Sequence, residues 1–89
     1  MAHSLEVTAR QEGEGWSAEV WVRDGKGKSR HRVTVSKEEL LRYGRGRSVE
    51  ELIAASFEFL LLREPASSIL ADFELSTIER YFPEFAEEV

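Results

Sequence analysis

The chain has 89 residues, enough for one hydrophobic core and too few to divide between two. Apolar residues make up 42% and charged residues 33%, a balance that excludes a disordered chain, and the absence of cysteine excludes disulfides, thiolate metal sites and cysteine nucleophiles together. The net charge of −5 is unevenly laid out, with ten Lys/Arg against seven Asp/Glu in residues 1–47 and two against ten in residues 48–89.

Three strands are expected first. Leu5, Val7 and Ala9 alternate with Glu6, Thr8 and Arg10, the period-two pattern of a half-buried strand, and the two glycines between Gln11 and Gly15 turn the chain back. In the second strand Trp16, Ala18, Val20 and Val22 share one face, while Ser17, Glu19, Trp21 and Arg23 share the other. Trp21 is thereby placed on the polar side. Asp24-Gly25-Lys26-Gly27 supplies the Asx and glycine chemistry of a tight hairpin. The third strand, about Ser29 to Val35, turns His31, Val33 and Val35 inward and Arg30, Arg32 and Thr34 outward beside Trp21.

Three helix starts follow with one signature. Ser36, Ser48 and Ser76 each stand three residues before a glutamate, so each serine oxygen can accept from a first-turn amide while the glutamate reaches back. The spacing predicts a short helix over about 37–43, ended by Gly44 and Gly46, and a central helix over about 49–63, stopped by Glu64-Pro65. The central helix carries an apolar stripe of Val49, Leu52, Ile53, Phe57 and Leu60, widened by Phe59 and Leu61. Residues 66–71 are expected to form one helical turn carrying Ile69 and Leu70, and residues 77–82 a short helix broken by Pro83. The expected fold is α+β: one domain of residues 1–89, with a three-stranded antiparallel meander over about 4–35 followed by the central helix and short C-terminal helices.

From Leu62 onward the run Leu-Arg-Glu-Pro, then Ser68-Ile69-Leu70, Phe73, Leu75 and Ile78 through Phe85 resembles the tail of a small bacterial protein family with no assigned activity. The resemblance implies a small bacterial protein and brings no cofactor or catalytic residue.

Candidate chemistry is sparse. His3 belongs to an N-terminal segment expected to be unordered, and His31 reads as a strand histidine that packs and makes a hydrogen bond rather than as a base. Two histidines and no cysteine leave no structural zinc set, and Gly25-Lys26-Gly27-Lys28 lacks the spacing and following helix of a phosphate loop. No cofactor and no enzymatic constellation are therefore expected. The run Phe59–Leu62 is far short of a membrane span, and Met1–Arg10 has no apolar leader core, so the expected location is the cytoplasm.

The leading reading is a non-enzymatic protein-interaction module that self-associates, because the central helix and the C-terminal aromatics offer more apolar surface than one sheet face covers. Its candidate interface residues are Phe57, Phe59, Leu61, Leu62, Phe82 and Phe85. The alternative is weak nucleic-acid binding through Trp21, Arg23, Lys26, Lys28, Arg30 and Arg32. Arg42, Arg45 and Arg47 either extend that basic patch or pair with the acidic half.

Overall fold

The computed structural model describes residues 3–89 and confirms the α+β class. Strands β1 (Ser4–Glu12), β2 (Gly15–Asp24) and β3 (Gly27–Val35) form the expected antiparallel meander, followed by helices α1 (Lys37–Gly44) and α2 (Val49–Leu61). A 3-10 turn, Ala66–Ser68, leads to a fourth strand, β4 (Asp72–Glu74), then α3 (Thr77–Tyr81) and α4 (Phe85–Glu88). The sheet order is β1-β2-β3-β4, with β4 parallel to β3 and Phe73 opposite Val33.

Local chemistry sets the turns. Gly13 takes φ 60° at the first central position of a two-residue turn closed by the Glu12↔Gly15 pair, the type II′ arrangement that matches strand twist. In the second hairpin the Asp24 carboxylate accepts from the Lys26 amide at 2.8 Å, an Asx turn between paired Asp24 and Gly27. Alternation then divides the sheet. Ala18, Val20, Val22, Val33 and Val35 are buried, while Leu5, Val7, Ala9 and Trp16 close the same face as half-buried residues.

Two of the three capping boxes form as expected. Ser36 and Ser48 accept from Glu39 and Glu51 amides at 3.0 and 3.1 Å, and both glutamates return a bond at 2.8 Å. The Ser48 amide, together with its hydroxyl, holds the exposed Glu51 carboxyl below the usual range. Helix α2 then buries the predicted stripe, with Leu52, Ile53 and Phe57 all at 0% exposure. Buried Ser56 satisfies its hydroxyl on the Leu52 carbonyl at 2.8 Å.

Four expectations need correction. The sheet has four strands, because Phe73 pairs with a strand far earlier in the chain and three residues are too few for alternation to announce them. The turn over 66–71 closes after Ser68, since Ile69 adopts extended φ −77°, ψ 135° and sends the chain into β4. The third capping box is absent: Ser76 is in helical conformation without a side-chain cap, and its amide instead donates to Glu39 Oε2 at 2.8 Å. Finally, α1 ends on Arg45, φ 53°, rather than on a left-handed Gly44. That conformation costs about 1–2 kcal/mol; in it Arg45 Nη2 donates to the Ala86 and Glu87 carbonyls at 2.7 and 3.0 Å, and Gly46 follows at φ 84° as a left-handed glycine.

Gly15 is required by packing. A Cβ there would lie 2.4 Å from the Val35 carbonyl oxygen and 3.2 Å from Ser36 Cα, so β3 and the α1 cap would both have to move. Gly15→Ala is therefore expected to lower stability by about 1–3 kcal/mol with an unchanged urea m value. Leu41→Ala, at a side chain 83% exposed, should stay within about 0.5 kcal/mol in the same titration.

Candidate functional site

Three regions bear on function: the aromatic cluster under the helices, an apolar cleft, and the open sheet face. Phe57 sits at the centre of the first core, its ring 5.4 Å from His31 and 6.2 Å from Phe73. Phe85 forms a second cluster, 5.0 Å from Tyr43 and 5.2 Å from Phe59, with Phe82 at 5.9 Å on the other side of Phe59. Arg63 closes it by placing its guanidinium 3.6 Å over the Phe59 ring while donating to the Phe59 carbonyl and to Glu84 and Glu88.

This packing corrects the interface expectation. Phe57, Phe59 and Phe85 are 0%, 5% and 0% exposed, so three of the six proposed contact residues are core. Phe82 and Phe85, from the chain between α3 and α4 onward, cover Phe59 on the widened side of α2, which helical periodicity alone does not reveal. Phe82 and Leu61 are half-buried, and Leu62 is 84% exposed.

Where the chain leaves α2 and returns through β4, it leaves a cleft of about 380 Å³. Leu60, Ile69, Phe73, Ile78 and Phe82 line it, Leu70 and Tyr81 stand at its rim 47% and 68% exposed, and Glu64 is its one charged lining residue. Tyr81 belongs to the C-terminal aromatics that the sequence offers as surplus apolar surface, whereas Leu70 is not among its contact residues. A signal for Leu70 existed: adjacent Ile69 and Leu70 in an extended segment point to opposite sides, so one must leave the core. The rim is held in place by His31, whose Nδ1 lies 2.8 Å from the Leu70 carbonyl and Nε2 2.8 Å from Ser29 Oγ. A carbonyl can only accept, so Nδ1 carries the hydrogen. Both ring nitrogens are thus engaged, Nδ1 across to the chain entering β4 and Nε2 within β3, as the packing reading of His31 anticipates.

On the open sheet face the nucleic-acid candidates are brought together but not left bare. Trp21 is half-buried beneath Lys28 Nζ at 4.9 Å and the Arg30 guanidinium at 5.8 Å, and its Nε1 donates to Glu19 Oε1 at 3.2 Å. Arg30 also faces Glu19 at 3.5 Å. Register places Trp21 between Glu6 and Arg30, and Arg32 between Glu19 and Asp72. Arg23, paired with Lys28, and Lys26 in the hairpin form the more basic end of the face, beside the Asx turn of Asp24. Arg42, Arg45 and Arg47 lie elsewhere, on Glu79, on α4 carbonyls and on the Tyr43 and Gly44 carbonyls respectively. His3 is corrected too, being half-buried and 2.8 Å from Glu58 rather than loose.

Compared with known proteins, the chain matches no family model, no curated protein and no solved structure.

One ionisable group is strongly shifted. Tyr43 is fully buried and donates to Glu79 Oε1 at 2.6 Å; burial first, then that bond and the Glu79 charge, push its hydroxyl up from 10.0 to about 12. The folded state therefore holds the Tyr43 proton more tightly than the unfolded chain, so this contribution is complete below pH 10.0 and is lost as pH rises to about 12. Unfolding midpoints measured across that window should fall with pH for the native protein. Tyr43→Phe should show a visibly flatter profile; an identical one would refute the assignment.

Proposed function

We propose that the chain is a non-enzymatic protein-interaction module that also self-associates, and that its docking site for other proteins is the cleft between the end of α2, β4 and α3. The observation that carries this reading is the exposure of Leu70 and Tyr81 on the rim of a cleft otherwise built from core side chains. Apolar surface in a concave setting is the usual landing point for an anchor residue. The occupant that fits is an extended or helical segment of a partner protein bearing an apolar anchor beside a lysine or arginine. Glu64 supplies the complementary charge, within a half-chain of ten acids against two Lys/Arg. The engagement of both His31 nitrogens within the fold further supports a binding role over a catalytic one.

Peptides selected on the protein from a random display library should share an aromatic or leucine anchor next to a basic residue. Leu70→Glu is expected to weaken them at least about tenfold, whereas Leu41→Glu on α1 should leave affinity unchanged. A library that yields no enriched motif, or peptides indifferent to Leu70→Glu, overturns the cleft as the docking site.

A second reading, weak nucleic-acid binding, draws on the basic hairpin end of the sheet face at Arg23, Lys26 and Lys28, with Trp21 beneath Lys28. If cations there meet phosphates, affinity for a single-stranded oligonucleotide must drop as salt rises, by about 0.7 in log–log slope per neutralised phosphate. Trp21→Ala should remove a further stacking contribution of about 1–3 kcal/mol per base. Absence of binding at low salt ends this reading.

A further inference from the structure

The two edges of the sheet are unlike. β4 is three residues long, and brevity is one of the ways proteins keep a sheet edge from pairing with another chain. β1, the opposite edge, is neither short nor interrupted. It runs for nine residues, contains no lysine or proline, and pairs with β2 in unbroken register from Ser4↔Arg23 to Glu12↔Gly15, so no bulge turns it away. Its inward side chains are also incompletely covered. Leu5, Val7 and Ala9 are half-buried, although Val22, Val20 and Ala18 opposite them are 1%, 0% and 1% exposed.

The two-residue turn fixes which backbone groups are free. Glu12 and Gly15 flank that turn and form its hydrogen-bonded pair. Alternation then directs the amides and carbonyls of Ser4, Glu6, Thr8, Arg10 and Glu12 to β2, and those of Leu5, Val7, Ala9 and Gln11 outward.

We propose that β1 is a self-pairing edge: a second copy adds its own β1 antiparallel across a two-fold axis at Thr8, continuing one sheet through both molecules. This rests on the reading that the chain self-associates, and names the surface. The charge pattern selects the register. With Thr8 opposite Thr8, Glu6 of each copy faces Arg10 of the other on the open face, while Val7 meets Ala9 and Leu5 meets Gln11 on the core face. The outward-directed groups then face each other as an antiparallel ladder requires. Centring on Ala9 would set Glu6 against Glu12 twice, and centring on Val7 would set Glu6 against Thr8 with no ion pair. Arg10 is free to respond, since it is loosely held by Glu12 at 3.8 Å with both side chains more than half exposed. Above the strand, Ala54 and Leu61 are half-buried on α2, one turn either side of Glu58, whose carboxylate bonds His3 just before β1. The same axis carries that small apolar flank of α2 toward its counterpart.

Sedimentation equilibrium of the full chain over a hundredfold concentration range tests this. The native protein is expected to dimerise. Glu6→Arg or Arg10→Glu alone places like charges opposite each other twice and should raise the dimer dissociation constant at least about tenfold, while the double exchange restores it to within about threefold. Ala9→Pro, at an outward amide that β2 does not use, should give a monomer whose circular dichroism and thermal midpoint remain those of a folded domain. A native chain that stays monomeric throughout overturns self-association itself. A native dimer that ignores both single reversals and Ala9→Pro leaves self-association standing and overturns β1 as its surface.

Discussion

After α2 the chain must come back to the sheet on the same edge it left, and it does so by laying Phe73 beside Val33 in a short parallel pair. That pair consists of few hydrogen bonds, with the Arg32 amide donating to the Ala71 carbonyl at 2.7 Å and the Leu75 amide to the Thr34 carbonyl at 3.0 Å. A ladder of three residue pairs would be marginal alone. His31 reinforces them from inside the sheet by bonding the Leu70 carbonyl, and Phe73 adds its ring to the Phe57 core. With β4 pinned, α3 and α4 are delivered over the flank of α2, where Phe82 and Phe85 enclose Phe59. The cleft is the by-product of the same return: its floor is core, and its rim is the stretch of chain that His31 holds down.

Part of the charge along the sequence serves as internal stitching. Arg42 meets Glu79, Arg45 meets the carbonyls of Ala86 and Glu87, and the Glu39 carboxylate joins the Ser36 and Ser76 amides across the two halves. Individually such exposed contacts contribute little. Here several converge on the short helices α3 and α4, five and four residues long, which could not persist as isolated helices. Tertiary hydrogen bonds and aromatic packing hold them, and Glu79 serves this role in place of the capping interaction its spacing suggests.

Among the described residues the fold leaves three surfaces unfinished: an apolar rim, a basic hairpin end and one long strand edge. Each has a distinct chemistry. The rim is apolar, the hairpin end is basic, and the edge presents outward backbone donors and acceptors. Mixed charge over the rest of the sheet face, with Glu6, Glu19 and Asp72 among the cations, works against a strong anion-binding field there.

Sequence alone determined the elements whose information is local. Alternation placed β1, β2 and β3 and sorted Val20 and Val33 inward from Trp21 and Arg30 outward, because side-chain direction in a strand follows position directly. Ser36 and Ser48 announced α1 and α2, because a cap is completed within four residues. Tertiary structure alone decided the rest. β4 exists only because β3 is there to pair with it, and the third serine–glutamate spacing failed because Glu39 and Tyr43, distant in sequence, competed for the same amide and carboxylate. The fate of the aromatic residues was settled the same way. Periodicity puts Phe57 in the apolar stripe of α2, but whether Phe59 on its widened side meets the chain's own Phe82 and Phe85 or another molecule depends on where a later segment returns, and no local pattern carries that distance.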